Sequence, residues 1–140
     1  MKFDSNCIFC KIADHKIPAN ILYEDNEVLA FLDVNPVSYG HCLVITKEHY
    51  DSMLSCPKEL LHKVYDVAQR LGQVQIKSLG AKGVNILANC YEAAGQTVLH
   101  FHVHVIPRYD AADGLKLEMN KFCEVNLPAV CEKFQEDLKK

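Results

Sequence analysis

His100, His102 and His104 recur at a strict period of two in the run Val98-Leu99-His100-Phe101-His102-Val103-His104-Val105-Ile106. Read as a β-strand, the run places Val98 and the three histidines on one face and Leu99, Phe101, Val103 and Val105 on the other. The apolar face can pack on a core. The other sets three imidazoles in a row, about 6.5–7 Å apart at a rise of ~3.3 Å per residue. Packing asks for no such row, whereas imidazole moves protons, attacks electrophiles and binds metals near neutral pH. Two chemistries fit. A neutral imidazole attacks phosphorus and leaves it readily, so the middle histidine can split a phosphoryl transfer into two easier steps. Its neighbours can then position the phosphate or carry the proton, since an ordinary histidine pKa near ~6.5 keeps both protonation states accessible. Alternatively, His-x-His chelates zinc, and a third ligand with one open position makes a catalytic metal centre. The periodicity does not separate the two.

The residues just upstream add anion-binding capacity. Gly95 lets backbone N–H groups approach an anion, and Gln96 and Thr97 bring further donors. The same three residues also suit an ordinary turn. Near the other end, Cys7-x-x-Cys10 has the spacing of half a zinc site, of a redox pair or of chance, and no thioredoxin-like βαβ pattern surrounds it.

The elements that must position these groups are legible in outline. A short helical turn is expected over 7–14, ending near Lys16-Ile17-Pro18. Strands are expected at Ile21–Glu24, Glu27–Asp33, Gly40–Ile45 and Val84–Asn89, with a turn at Asp25-Asn26 and a break at Asn35-Pro36. Leu60, Leu61, Val64, Val67, Ala68, Leu71 and Val74 follow helical spacing, with Pro57 in the first turn, Ser55 or Cys56 as cap and Gly80 as terminator. Asp110 to Gly114 reads as a loop, and Pro128 opens a last helix ending at Lys139-Lys140. Its charged run from Glu132 reads as a solvated face. Hairpin-like strands around one long helix predict an α+β fold with an antiparallel sheet.

The chain has 140 residues, 49% hydrophobic and 24% charged, which suits one soluble domain spanning 1–140. A formal charge of −3 argues against nucleic acid or anionic lipid as a general partner. No apolar run approaches the ~20 residues of a membrane span, and Met1 to Asn6 carries no signal-peptide core, so a cytoplasmic location is expected. Seven cysteines is an odd number, and Cys42, Cys56, Cys90, Cys123 and Cys131 are expected to be buried free thiols. His15 and His62 read as solvated surface.

His100-x-His102-x-His104 followed by Val105-Ile106 resembles the signature of the histidine triad (HIT) superfamily. Ile8-Phe9-Cys10-Lys11-Ile12 and Ile17-Pro18-Ala19 resemble the family's N-terminal segment, and Phe31 to Pro36 its ribose-binding strand. Gly40 to His49 resembles its central strand, and Asn89 and Gly95-Gln96-Thr97 sit at family spacing. The resemblance covers 7–110 and leaves 111–140 as a variable tail. With His104 present, the chain resembles the bacterial-type nucleotide-binding hydrolase branch rather than the transferases, in which glutamine replaces the third triad histidine.

The resemblance implies a five-stranded antiparallel sheet with one long helix and a shorter C-terminal helix. It implies a purine nucleotide (AMP-like) ligand and cleavage at the α-phosphorus of phosphoramidates or dinucleoside polyphosphates. His102 would attack, forming a nucleotidyl-histidine, and His104 would donate to phosphate and leaving group. Gln96 and Thr97 would bind phosphate, with Gly95 and Asn89 as further contacts. Asp33 would hold the ribose, and Ile8, Phe9, Phe31 and Val34 would line the base pocket. Cys7, Cys10, His49 and His100 would hold a structural zinc, and His41 would either support the triad or simply end a strand. Members commonly dimerise through the long helix and the strand after it. A zinc-stabilised nucleotide- or partner-binding module with little catalysis is the alternative.

Overall fold

The computed structural model describes residues 2–139. Its elements run α1 (Ile8–Ala13), β1 (Ile21–Glu24), β2 (Val28–Leu32), β3 (Cys42–Thr46), α2 (Lys58–Leu79), β4 (Gly83–Leu87), β5 (His102–Arg108) and α3 (Leu127–Leu138), with 3-10 turns at Met53–Ser55 and Glu92–Ala94. The five strands form one sheet in the order β1-β2-β3-β5-β4, and every neighbouring pair is antiparallel.

The two faces of this sheet have different tasks. Val28, Ala30, Cys42, Val44, Phe101, Val103 and Val105 pack with Leu60, Val64, Val67 and Ala68 of α2. The residues between them, Leu29, Phe31, Leu43 and Ile45, pack with Phe9 and Ile12 of α1 and with Cys7 and Cys10. β2 and β3 are therefore covered on both sides, which explains why they read as continuous apolar runs rather than alternating ones. The histidine strand keeps its alternation: Phe101, Val103 and Val105 fill the α2 face and leave His102 and His104 on the other.

Four local expectations change. β5 begins at His102 rather than Val98, because the His100 N–H turns back to the Val98 carbonyl at 2.8 Å and the Gln96 amide donates to that same carbonyl at 3.0 Å. Leu99 consequently faces solvent instead of the core. β5 also continues through Pro107 to Arg108, since pairing with β3 ends at Val105 and Pro107 carries only its β4 partner, Val84. Pro57 itself caps α2 without a side-chain bond, while Ser52 and Ser55 form a capping box on the preceding turn. Among the cysteines, Cys42 is buried, Cys56 and Cys90 are half-buried, and Cys123 and Cys131 are exposed because the tail does not fold back onto the core. Gly80 ends α2 in the left-handed region (φ 75°), as its position suggests.

Candidate functional site

β5 delivers His102 and His104 to the α1 side of the sheet, opposite Ile45 and Leu43 of β3. The His102 Nδ1 lies 2.6 Å from the His100 carbonyl oxygen. A carbonyl only accepts, so Nδ1 carries the proton and Nε2 keeps its lone pair. Burial holds the His102 pKa below the ordinary histidine value, which favours this neutral form. The ring of Phe9 stands at 5.0 Å, edge to face, and fixes the imidazole from the side.

His104 receives the opposite polarity. The backbone N–H of Val37 donates to His41 Nδ1 at 3.1 Å, which leaves the proton of a neutral His41 on Nε2. That Nε2 lies 3.0 Å from His104 Nδ1 and 3.5 Å from the Asp33 carboxylate. His104 therefore accepts at Nδ1 and presents an N–H at Nε2. A backbone amide thus sets the direction of the whole chain, and the two histidines of β5 end as one base and one donor. Burial pushes the His104 pKa down to about 4, helped by the neighbouring His102 and His41, while Asp33 opposes the shift.

This depression links stability to pH. Below the ordinary value of 6.5 the unfolded chain takes up a proton that native His104 refuses until about 4. The His104 contribution is therefore complete above pH 6.5 and is lost as the pH falls toward about 4. We expect the thermal midpoint to fall across this window in wild type, and His104→Gln to flatten that part of the profile; identical profiles would contradict the assignment.

His100 faces elsewhere. Its Nε2–H donates to the Thr46 carbonyl at 2.7 Å, and its Nδ1 lies 3.3 Å from Cys7 Sγ and 3.5 Å from Cys10 Sγ. His49 Nδ1 is 3.3 Å from Cys10 Sγ, and its Nε2 is 3.3 Å from the Asp51 carboxylate. The four potential ligand atoms all lie within 4.8 Å of one another. Backbone N–H groups of Cys10 and Asp4 approach the sulfurs of Cys7 and Cys10 at 3.4 and 3.5 Å. Zinc bonds of ~2.0–2.3 Å separate tetrahedral ligand atoms by roughly 3.3–3.8 Å, so the donor set fits. Both histidines also give their far N–H to an oxygen acceptor, as ligating histidines do.

Asp33, His41 and His104 lie comparably close together. Here the tautomers decide against a metal: the Val37 N–H occupies His41 Nδ1, so Nε2 bears a proton rather than a lone pair. Among the described residues, His100 groups with Cys7, Cys10 and His49 rather than with His102 and His104, which argues against a catalytic zinc held by all three triad imidazoles.

In front of His102 and His104 opens a cavity of about 390 Å³. Ile8, Phe9, Phe31, Asp33, Val34 and Thr97, all expected at the ligand, line it together with the two histidines. Phe9 and Phe31 meet edge to face at 5.8 Å. Asn89, Gly95 and Gln96 do not line it. The buried Gln96 amide accepts from the Tyr91 N–H at 2.6 Å and donates to the carbonyls of Asp51 (2.6 Å) and Val98 (3.0 Å). In this structure the side chain expected at the phosphate braces the loop. Asn89 donates to the Gly95 carbonyl at 3.4 Å, so it too supports the turn, where Gly95 takes φ 98°.

Sequence reasoning weighed His41 evenly and missed Asp51. The only signal for Asp51 was its place two residues after His49. His15 and His62 are exposed as expected, and His15 pairs with Glu24 at 2.6 Å.

The sequence profile of the HIT domain matches residues 14–111. The chain belongs to the HIT family. An uncharacterised HIT-like protein of Methanocaldococcus jannaschii is 46% identical over 119 residues, covering 85% of this chain and 88% of that one. The adenylylsulfatase HINT3 of Arabidopsis thaliana is 38% identical over 104 residues, covering 74% of this chain and 53% of its own length. A crystal structure of a HIT family protein from Bacillus anthracis superposes with a TM-score of 0.88 at 36% identity, covering 95% of this chain and 97% of that one. This HIT protein thus has the expected fold. Among the described residues no helix is long and apolar enough to cross a membrane.

Proposed function

We propose that this HIT protein is a nucleotide hydrolase that cleaves between the α-phosphorus and the leaving group of a purine nucleotide derivative. The observation that carries the reading is the pair of opposed tautomers: a lone pair on His102 Nε2 and an N–H on His104 Nε2, both in one cavity. In the first step His102 Nε2 attacks the α-phosphorus, the N–P bond forms and the bond to the leaving group breaks. His104 gives a proton to the departing amine nitrogen or phosphate oxygen. The negative charge of a bound phosphate raises the His104 pKa and readies it for this task. Water then attacks the phosphorus and passes its proton back to His104, the N–P bond breaks, and the nucleoside monophosphate leaves with both imidazoles restored. Asp33 is placed to accept from the ribose hydroxyls, Thr97 to donate to phosphate, and Phe9, Phe31, Ile8 and Val34 to hold the base. The name of the Arabidopsis relative supports an adenylyl group.

Cys7, Cys10, His49 and His100 would hold zinc in a closed site whose chemistry is structural, since four protein ligands leave no place for water. Such a site ties α1 and the base pocket to the catalytic strand. We further propose a homodimer built on α2 and β4.

His41 is a positioning residue, because it acts through His104. His41→Ala leaves His104 free to take either tautomer, and kcat should fall roughly 10–100-fold, a modest part of a general acid's contribution. KM should change little. A KM effect without loss of kcat would assign His41 to binding instead.

The test is AMP release from adenosine 5′-phosphoramidate. Steady turnover supports the hydrolase. Nucleotide affinity with no release of AMP from either a phosphoramidate or a dinucleoside polyphosphate supports the binding module instead.

A further inference from the structure

We infer that Gln96 is a positioning residue for the nucleophile: its buried amide laces two backbone segments together so that the His100 carbonyl points at His102 Nδ1. The inference rests on the reading of His102 as the attacking group. It concerns the atom that decides the His102 tautomer, the carbonyl oxygen 2.6 Å from Nδ1. The sheet does not hold that carbonyl. Towards the start of β5, pairing with β3 stops at His102 opposite Ile45, and pairing with β4 stops sooner, at His104 opposite Leu87. Residues 98–101 lie beyond both ladders, so their backbone groups need other partners.

Those partners come from Tyr50 and Gln96. The Phe101 N–H donates to the Tyr50 carbonyl at 2.7 Å. This N–H shares a planar trans peptide with the His100 carbonyl, so the two point in opposite directions, and fixing one aims the other at His102. The next carbonyl along, that of Asp51, accepts from Gln96 Nε2 at 2.6 Å, and the same Nε2 donates to the Val98 carbonyl at 3.0 Å. The Val98 carbonyl also accepts the His100 N–H at 2.8 Å, closing a three-residue turn. A primary amide carries two N–H bonds, so one side chain can hold both segments at once. Its oxygen is engaged as well, by the Tyr91 N–H at 2.6 Å. Gln96 is 7% exposed with both donors and its oxygen in use, which suits a brace rather than a phosphate contact.

Loss of the amide leaves two carbonyls without their donor and frees residues 98–101 to move against residues 50–51. The His100 carbonyl then drifts from His102 Nδ1, and the imidazole can carry its proton on Nε2 instead. In that tautomer the nitrogen facing the cavity has no lone pair to offer phosphorus. Gln96 does not line the cavity, so nucleotide affinity depends little on it. A phosphate contact would behave in the opposite way: its loss would weaken nucleotide binding and leave the His102 proton in place.

Gln96→Met keeps a similar length and apolar packing but cannot donate. The full-length variant and wild type are compared at neutral pH by heteronuclear NMR of the histidine ring nitrogens, and by AMP release from adenosine 5′-phosphoramidate. Wild type is expected to hold His102 in the Nδ1–H form. The variant is expected to gain the Nε2–H form at His102 while His104 keeps its own, and to lose roughly 10–100-fold in kcat, the scale of a misplaced reacting group. KM should stay within about threefold, since uniform binding is untouched. A folded variant whose His102 remains wholly Nδ1–H overturns the inference, as does a loss confined to KM. The wild type alone supplies a second test, which stands even where the variant fails to fold. Saturating AMP should leave the Gln96 side-chain amide protons protected from exchange with solvent, whereas their release would overturn the brace. A tautomer shift in the variant beside a wild type that releases no AMP would support the brace and overturn the hydrolase reading instead.

Discussion

His102→Ala is expected to abolish turnover of adenosine 5′-phosphoramidate, with kcat/KM lowered by at least about 10⁴-fold, the order seen when a covalent nucleophile is removed. The size follows from the division of labour in the site. His104 offers its Nδ1 to His41 and carries a proton on Nε2, so no second lone pair faces the cavity to replace that of His102. Nucleotide affinity should survive, because the proposed base and ribose contacts would come from the cavity lining of α1, of β2 and of Asp33 just beyond it. His102 is buried, so the variant loses some packing against Phe9. A thermal midpoint and a nucleotide-binding isotherm measured on the same sample separate chemistry from fold. Loss of activity together with loss of the folded state would say nothing of the mechanism, and His102→Asn, closer in size, then carries the test. Turnover in a well-folded variant would exclude the covalent route.

Removal of metal should act on stability before chemistry. Burial pushes the Cys10 thiol up to about 11 when no cation is present, so a bare site keeps a protonated sulfur among buried groups. A zinc ion would take two thiolates and the Nδ1 atoms of His49 and His100, and would join residues up to 93 positions apart. Cys10→Ser, or strong chelation, is expected to lower the thermal midpoint by roughly 10 °C or more, as a loss of a few kcal/mol does in a domain of this size. One equivalent of zinc per chain should accompany the wild type and leave with the variant. Activity measured well below the new midpoint should fall less than tenfold, since neither His102 nor His104 belongs to the donor set. Immediate and complete loss of activity on chelation, reversed by added metal, would make the metal catalytic. An unchanged midpoint with no bound metal would remove the zinc altogether.

Much of this was legible because the chemistry sits on regular structure. Period-two alternation placed Phe101, Val103 and Val105 in the core and His102 and His104 opposite, and the structure agrees. The long helix was visible in its apolar spacing and in Gly80. Features built from loops were not. The turn at Val98 to His100 depends on the Gln96 amide reaching back to Val98 and across to Asp51, a contact of 45 positions in sequence. The relay through His41 depends on one backbone amide, that of Val37, whose direction no residue type reveals. Motif spacing named the triad but not which nitrogen of each imidazole bears the proton, and those protons distinguish base, donor and metal ligand.

The covalent intermediate is the central claim, and one measurement reaches it directly. Enzyme mixed with excess adenosine 5′-phosphoramidate is quenched within milliseconds under conditions that preserve phosphoramidates, and its intact mass is recorded. The account predicts a fraction of the chain heavier by one adenylyl group, with the adduct on His102 in the peptide that spans β5. Steady AMP release with no adduct at any quench time, in an enzyme whose deacylation-like second step has been slowed by low temperature, would show that water attacks the phosphorus directly and would contradict it.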